Sequence, residues 1–374
     1  MKTKKWKLIW EVADAPIFEM GHGTIFADQK QKSLFGYTTK GQLLFAKNEI
    51  LSSYHTEEDL KEASLHGFKF YSDEKKWKFF LNGIKEIQDK NKELEKKLEA
   101  VFTTQTVDKN ELGRLLLEVS DAQVLTFCHF NMTNPNFTFG PEDKLRQYLI
   151  GVAGGQADEV MGVLTTPEKL STLQVETLEF YRILKKYWLR IKESPSGLAK
   201  DLKSHSQKYL YLGGNEGNDK WDLEYYQNLV NELLNKPSFN LKGEIQKIET
   251  YSQNINSQKQ SIFRKHKIDS VYKSIANKLA ETGHARLELR VMWSSQYRML
   301  RKIVYQISKI MEIPAYDLLV CTPSELYSWF VLGKKQTNKE VIDRRKAYLF
   351  VLNGKKVKSA YGDSAISLKQ KLIP

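Results

Sequence analysis

The chain has 374 residues, of which 41% are hydrophobic, 11% aromatic and 28% charged. This length allows one to three domains, and this composition excludes an intrinsically disordered chain. The net charge of +13 favours an anionic partner such as nucleic acid, a nucleotide or a phosphometabolite. A lysine-rich solvated surface explains the same charge equally simply, so charge alone does not select a function.

The cysteine content and the N-terminus restrict the kind of protein further. Cys128 and Cys321 are the only cysteines, and two distant thiols cannot build a disulfide framework or a cysteine-rich metal site. The start of the chain is basic but lacks the apolar run of a signal peptide. No stretch approaches the roughly 20 apolar residues of a membrane span. We therefore expect a cytoplasmic protein with no membrane association, no metal and no cofactor.

Residues 1–72 are predicted to form a small α+β unit. Apolar and charged side chains alternate over residues 6–12, and this period of two is typical of a strand. Residues 33–46 are predicted to form a hairpin with Gly41 in its turn. The sequence thus places at least three short strands near the N-terminus.

The period of the apolar residues becomes helical further along the chain. Thr56 is expected to cap a short helix that closes near Gly67, followed by a strand over residues 68–71. Residues 73–346 then show apolar stripes at helical spacing and are predicted to form a multi-helix domain. The fold class that we predict is therefore mainly α.

The last segment, residues 347–374, is predicted to form a β-hairpin tail. Two strand-like runs, residues 348–352 and 357–361, are joined at Asn353-Gly354. An Asn-Gly pair between two such runs is a strong hairpin signal, because both residues adopt the positive φ angles that a tight turn requires.

A long basic helix is the one feature of the sequence that favours a particular binding function. Residues at alternating four- and three-residue spacing place six apolar side chains on one face; these are Trp293, Tyr297, Leu300, Val304, Ile307 and Met311. Four arginines fall on a neighbouring flank at 100° per residue; these are Arg286, Arg290, Arg298 and Arg301. They can contact phosphate groups or a partner protein, or they can pair with carboxylates of neighbouring helices, such as Glu176, Glu179 or Glu232.

Other candidate sites lack the spacing that chemistry requires. The glycine-rich runs at 21–23, 151–155 and 213–217 match neither the Walker pattern nor the dinucleotide fingerprint, and 213–217 is either a phosphate cradle or, more simply, a turn. His284 and Glu288 lie four residues apart and can share a metal or form the commoner salt bridge. No nucleophile motif occurs, so we predict no catalytic residue.

One set of features in the C-terminal half carries a resemblance to a known family. In chain order these features are Arg286 and Arg290, residues 300–313, 317–319, 322–326, 333–334 and 342–345, and Gly362-Asp363, with a looser match over 202–221. They resemble the helical region that precedes the mobile phosphohistidine domain in phosphoenolpyruvate-utilising enzymes. These enzymes are the relatives of phosphoenolpyruvate synthase, pyruvate phosphate dikinase and rifampin phosphotransferase. The resemblance covers much of residues 72–363.

The sequence differs from that family in the parts that carry out the family's chemistry. No histidine closely follows Gly154-Gly155 or Gly213-Gly214, whereas family members phosphorylate a histidine that follows a Gly-Gly pair. Residues 1–72 are too few for an ATP-grasp domain, and a phosphoenolpyruvate-binding barrel has no room. The chain stops at Pro374, about where the mobile domain is expected to begin.

The resemblance therefore implies a scaffold that is non-catalytic or depends on a partner. It would dock a separately encoded phosphohistidine or ATP-grasp nucleotide-binding domain through the four-arginine flank. Any enzymatic activity would be a phosphoenolpyruvate synthase-like phosphotransfer with that partner chain. The alternative function is a basic helical nucleic-acid-binding protein, whose affinity would fall steeply with salt.

Overall fold

The fold is mainly α-helical, as predicted, with one antiparallel sheet. The computed structural model describes residues 5–13, 17–48, 50–103, 107–193, 196–212, 221–353 and 356–373. The strands are β1 (Trp6–Ala13), β2 (Gly41–Lys47), β3 (Ile50–Thr56), β4 (Ala347–Asn353) and β5 (Lys356–Tyr361).

The helices follow one another through most of the chain. They are α1 (Ile17–Phe35), α2 (Glu57–Ser72), α3 (Glu74–Thr103), α4 (Lys109–Met132), α5 (Pro135–Ala153), α6 (Ala157–Leu164), α7 (Thr172–Tyr187), α8 (Ser196–Tyr209), α9 (Leu223–Leu234), α10 (Leu241–Lys265), α11 (Ser270–Met311), α12 (Ala315–Leu318), α13 (Pro323–Phe330), α14 (Asn338–Lys346) and α15 (Gly362–Leu372). Within the described ranges, every helix is too short or too polar to span a lipid bilayer.

Contacts divide the chain into two compact units. The first comprises Met1–Gly140 with Gln296–Pro374, and the second is Pro141–Ser295. These units do not follow the boundaries at residues 72 and 346 that the sequence suggested. The reason is that β2 pairs along its length with β4, so strands from both ends of the chain share one sheet of order β1-β3-β2-β4-β5.

The predicted hairpin over residues 33–46 is wrong. Residues up to Phe35 belong to α1, and Gly41 begins β2, whose hairpin partner is β3. The aromatic ring of Phe35 lies edge-on to the rings of Phe70 and His129. This tertiary packing stabilises a helix in a segment whose local composition is typical of a strand.

The helix that Thr56 caps is confirmed at its start but not at its end. The Thr56 side chain accepts a hydrogen bond from the backbone of Asp59, as an N-cap threonine does. The helix continues through Gly67 to Ser72, and the strand predicted for residues 68–71 is absent. Phe70 and Tyr71 are buried in the helical core, so aromatic residues that favour strands are held in a helix by tertiary packing.

The apolar stripe of α11 forms the centre of the first unit, as the spacing predicted. Tyr297, Leu300, Val304 and Ile307 are all buried, and the last three pack with the inward faces of α3, α4 and α13. The other two residues of the stripe, Trp293 and Met311, are half-buried. At roughly 25 cal/mol per Å² of apolar surface, the burial of each aliphatic side chain contributes about 1.5–3 kcal/mol. This helix therefore organises the unit that holds the sheet.

The C-terminal hairpin is confirmed, and the chain adds one helix that the sequence did not predict. β4 and β5 pair in antiparallel register, while Gly354 of the predicted turn lies outside the described residues. Helix α15 follows β5 directly. Its buried residue Ala365 packs on Leu43 and Leu349 and covers one face of the sheet.

The second unit is a helical bundle with a core of its own. Helices α7 to α10, with the short 3₁₀ helix Trp188–Glu193 between α7 and α8, contribute its buried apolar side chains, which are Leu178, Phe180, Leu184, Ile191, Leu198, Leu202, Tyr226, Val230, Leu241 and Ile245. Helix α7 begins with a capping box, in which Ser171 and Gln174 satisfy each other's backbone amides.

Candidate functional site

A groove in the first unit lies between β1, α2 and the start of α5. It has a volume of about 950 Å³, and we call it the β1 groove. It is lined by Lys7, Leu8, Ile9, Glu57, Leu60, Lys61, Ser64, Leu65, Pro135, Asn136 and Phe139. Three of these apolar side chains face solvent to an unusual extent: Leu8 is 53% exposed, Leu65 67% and Phe139 62%. A contiguous exposed apolar surface of this kind is typical of a binding site.

The walls of the β1 groove are fixed by a close crossing of α2 and α5. A Cβ atom on Gly67 would overlap the carbonyl oxygen of Phe137, and one on Gly140 would overlap that of Ser64. The missing side chains let the two backbones approach to a distance that no larger residue permits. Because Ser64 and Phe139 belong to the groove, this crossing sets its width.

Three of the segments that carry the resemblance, 317–319, 322–326 and 342–345, meet in a cluster of ion pairs, which we call the Arg344 cluster. Arg344 donates two parallel hydrogen bonds of 2.8 Å to the two carboxylate oxygens of Glu325. Glu325 also accepts from the backbone amide of Thr322 at 2.9 Å, which completes the capping box of α13. The Arg344 guanidinium lies over the ring of Tyr361, 4.7 Å from its centre.

The electrostatics of the Arg344 cluster follow from this geometry. Burial alone would raise the pKa of Glu325, but the hydrogen bonds and charge of Arg344 and the amide of Thr322 hold that pKa below its ordinary value. Two more exposed ion pairs flank it, Arg345 with Asp317 at 3.3 Å and Lys346 with Asp363 at 2.6 Å. Residues of the segments 317–319, 322–326 and 342–345 are thus engaged with one another, and Asp363 pairs with Lys346, which directly follows the last of them.

The second unit contains a buried polar network around Glu176. One carboxylate oxygen of Glu176 lies 2.9 Å from Nε2 of His205 and also accepts a 2.9 Å hydrogen bond from the hydroxyl of Tyr226. All three side chains are buried. Burial, together with the neighbouring Glu176 charge, raises the pKa of Tyr226, so this phenol stays protonated and acts as a donor.

Removing the Tyr226 hydroxyl tests the energetic role of this network. We expect Tyr226→Phe to lower the free energy of unfolding by about 1 kcal/mol, because a buried hydrogen bond to Glu176 is lost while the ring remains. The neighbouring Tyr225→Phe is the matched control and is expected to change it by less than about 0.5 kcal/mol. Equal effects of the two variants in urea denaturation would contradict this assignment.

The four predicted arginines lie along α11 but are distributed over both units. Arg286 and Arg290 lie in the second unit, and Arg298 and Arg301 lie in the first. Arg290 is exposed and the other three are half-buried, and each of the four takes part in contacts within the chain. Their role in binding phosphate or a partner stays a prediction.

Two of the three carboxylates that were candidate partners for these arginines bind other groups. Glu176 bonds to His205 and Tyr226, and Glu179 pairs with Lys208 at 2.7 Å. Glu288, which was considered as a partner of His284, accepts hydrogen bonds from the backbone and hydroxyl of Thr172, so it caps α7.

The described part of the chain contains no group of three His, Cys, Asp or Glu residues arranged to hold a metal ion. The glycine run at 213–217 lies outside the described residues, so its interpretation as a turn or a phosphate cradle stays a prediction.

Comparisons with known proteins give no further assignment. No family model matches the sequence, and no match is found among curated proteins or among solved structures. The candidate sites are therefore interpreted from their own geometry and from the sequence features described above.

No sequence pattern predicted the β1 groove. Its lining comes from residues 7–9, 57–65 and 135–139, which only the fold brings together. One local signal was present: Leu65 is an apolar residue on α2, off the buried stripe of Ala63, Gly67 and Phe70. A large apolar residue on the wet face of a helix indicates a contact outside the core.

Proposed function

We propose that this chain is a scaffold that is non-catalytic by itself and docks a separately encoded domain. The proposed partner is a phosphohistidine domain or an ATP-grasp nucleotide-binding domain of the phosphoenolpyruvate synthase type. Any phosphotransfer activity then belongs to the complex. The observation that carries this proposal is the Arg344 cluster, in which three of the segments that resemble the family, 317–319, 322–326 and 342–345, are joined by ion pairs.

Side chains in such a cluster hold the segments of the fold together, and they are therefore not available to react. Both carboxylate oxygens of Glu325 are occupied by Arg344, and Arg345 is engaged with Asp317. A guanidinium that is fully bonded to a carboxylate stabilises the fold of its surroundings. This arrangement supports a structural role for the resembling segments, ahead of a partner domain that carries the chemistry.

The alternative function, nucleic-acid binding, has little support from side chains that could stack on bases. On α11, Tyr297 is fully buried, Trp293 is half-buried, and Tyr305 is 50% exposed. Aromatic rings that stack on bases lie on a surface that a strand can reach. The charge of +13 is the remaining support, and it fits an acidic protein partner equally well.

A phosphotransfer assay tests the proposal. The purified chain is incubated with labelled ATP, pyruvate and magnesium, and the products are analysed for phosphohistidine and phosphoenolpyruvate. We expect neither product from the chain alone. Phosphate transfer that survives purification to homogeneity would overturn the scaffold proposal, because the activity would then belong to this chain. A known phosphoenolpyruvate synthase serves as the positive control.

A further inference from the structure

We infer that the outer edge of β1 binds an extended segment of the partner protein as a sixth strand. The apolar side chains of that segment would occupy the β1 groove, and its carboxylates would meet the lysines at the rim. This inference deepens the proposed function, on which it rests, because it names the surface that docks the partner and the chemistry of the segment that docks there.

The first observation is the hydrogen-bonding state of β1. Among the described residues, β1 pairs with β3 on one side only. A bond of 3.1 Å from the amide of Glu57 to the carbonyl of Lys5, the residue before β1, lies on the same side of the strand as β3. An open strand edge presents alternating N–H and C=O groups, which bind an added strand through its main chain.

The second observation is that the β1 groove runs beside this open edge. Leu8 of β1, Leu65 of α2 and Phe139 of α5 expose more than half of their surface there. Alternate side chains of an added strand point to the same face. Side chains of the added strand can therefore pack on these three residues while its main chain bonds to β1.

The third observation is the charge at the rim of the groove. Lys7 and Lys61 are exposed, and the one acidic residue of the lining, Glu57, already pairs with Lys7 at 3.3 Å. Lys61 has no ion-pair partner in the described part of the chain. A lining with two lysines and one glutamate, in which Lys61 stays available, selects a segment that carries a carboxylate beside its apolar residues.

A second copy of this chain fits the edge less well. Two antiparallel β1 strands paired around Ile9 would place Lys7 of each copy opposite Glu11 of the other. The bulge between Leu8 and Trp10 prevents this ion pair. Lys7 lies opposite His55, and Glu11 lies opposite Ser52. His55 and Ser52 are three residues apart on β3 and therefore point to opposite faces of the sheet. Their partners Lys7 and Glu11 consequently point to opposite faces as well, and they cannot pair across two copies of β1.

A peptide selection followed by hydrogen exchange tests this inference. The full chain is used to select from a library of random ten-residue peptides, and the enriched peptides are synthesised. We expect sequences in which apolar residues alternate with aspartate or glutamate. At a peptide concentration of about ten times Kd, amide exchange in residues 6–13 should slow about tenfold, because the added strand bonds to β1.

Two variants locate the binding surface. Leu65→Glu should weaken binding of the enriched peptides at least about tenfold, because it places a charge in the apolar groove. Leu189→Glu is the matched control, since Leu189 is 97% exposed and lies in the second unit; it should leave Kd unchanged. Lys61→Glu should weaken acidic peptides up to about fivefold, as expected for an exposed charge pair.

Four outcomes would overturn the inference: no enrichment, enrichment of basic peptides, unchanged exchange in β1, or binding that survives Leu65→Glu. A dimer of the chain that Leu65→Glu dissociates would also overturn it, in favour of a second copy. If the chain alone transfers phosphate, the proposed function fails while the peptide result still decides whether the edge binds a strand. If no peptide binds but a partner domain does, only the strand-binding inference fails.

Discussion

Replacing Arg344 with alanine is expected to lower the free energy of unfolding by about 3–5 kcal/mol. The guanidinium is buried, with a side-chain exposure of 5%, and it binds both carboxylate oxygens of Glu325. Its removal leaves the Glu325 charge without its strongest partner in a partly buried position. The loss also removes the contact with the ring of Tyr361. Urea denaturation followed by circular dichroism measures the change.

The adjacent arginine supplies a matched control for this prediction. Arg345 pairs with Asp317 at 3.3 Å, but its side chain is half exposed, so solvent screens the interaction. Arg345→Ala is expected to cost no more than about 1 kcal/mol. If Arg344→Ala lowered the free energy of unfolding as little as Arg345→Ala, the Arg344 cluster would not be what holds these segments together.

The same ion pair predicts a dependence of stability on pH. The pKa of Glu325 is lower in the folded chain than its ordinary value of 4.5. The stabilisation from the pair is therefore complete above that ordinary value and is lost as the pH falls through the folded pKa. The difference in stability between the natural chain and Arg344→Ala should consequently shrink on acidification below about pH 4.5.

Replacing Gly67 with alanine is expected to lower the free energy of unfolding by about 1–3 kcal/mol, although alanine favours helices. The new Cβ would overlap the backbone carbonyl of Phe137. A backbone carbonyl cannot rotate away as a flexible side chain does, so α2 and α5 must separate. The separation would also widen the β1 groove, and peptides that bind there should bind more weakly.

Gly162 in α6 is the control for the helix propensity of alanine. It has no neighbouring atom within 4 Å of the position of a Cβ, so Gly162→Ala should stabilise by about 0.5–1 kcal/mol. A stabilising effect of Gly67→Ala similar to that of Gly162→Ala would contradict the close crossing of α2 and α5.

Sequence periodicity correctly predicted helices and strands in which buried and exposed positions recur at a regular spacing. The stripe on α11 through Leu300 and Val304 is buried as its spacing indicates. The Asn-Gly signal correctly predicted the pairing of β4 with β5. In these segments, the local pattern and the tertiary packing favour the same structure.

Sequence reasoning was wrong where contacts between distant segments outweigh local propensity. Gly67 was interpreted as the end of a helix, but its missing side chain serves the approach of Phe137, 70 residues further along the chain. Phe70 and Tyr71 resemble a strand, yet their rings complete an aromatic core that also contains Trp77. A pattern within one window cannot report such contacts.

The sequence pointed to the residues of one candidate site, the Arg344 cluster, but not to those of the other, the β1 groove. The sequence singled out Glu325 and Arg344 through their neighbourhood in the resembling segments, and the fold joins them into one ion pair. The β1 groove combines side chains as distant as Leu8 and Phe139, and no local pattern connects these residues. An apolar residue on a wet helix face was the only signal available, and single exposed apolar residues are common on protein surfaces.

A calorimetric titration with the purified mobile phosphohistidine domain of a phosphoenolpyruvate synthase tests the central claim most directly. The chain is expected to bind this domain with one-to-one stoichiometry and a Kd below about 100 µM, the strength of a weak but specific interface. The affinity should fall with added salt, since the chain carries a charge of +13. The absence of binding at that concentration would contradict the proposal that this chain is a docking scaffold.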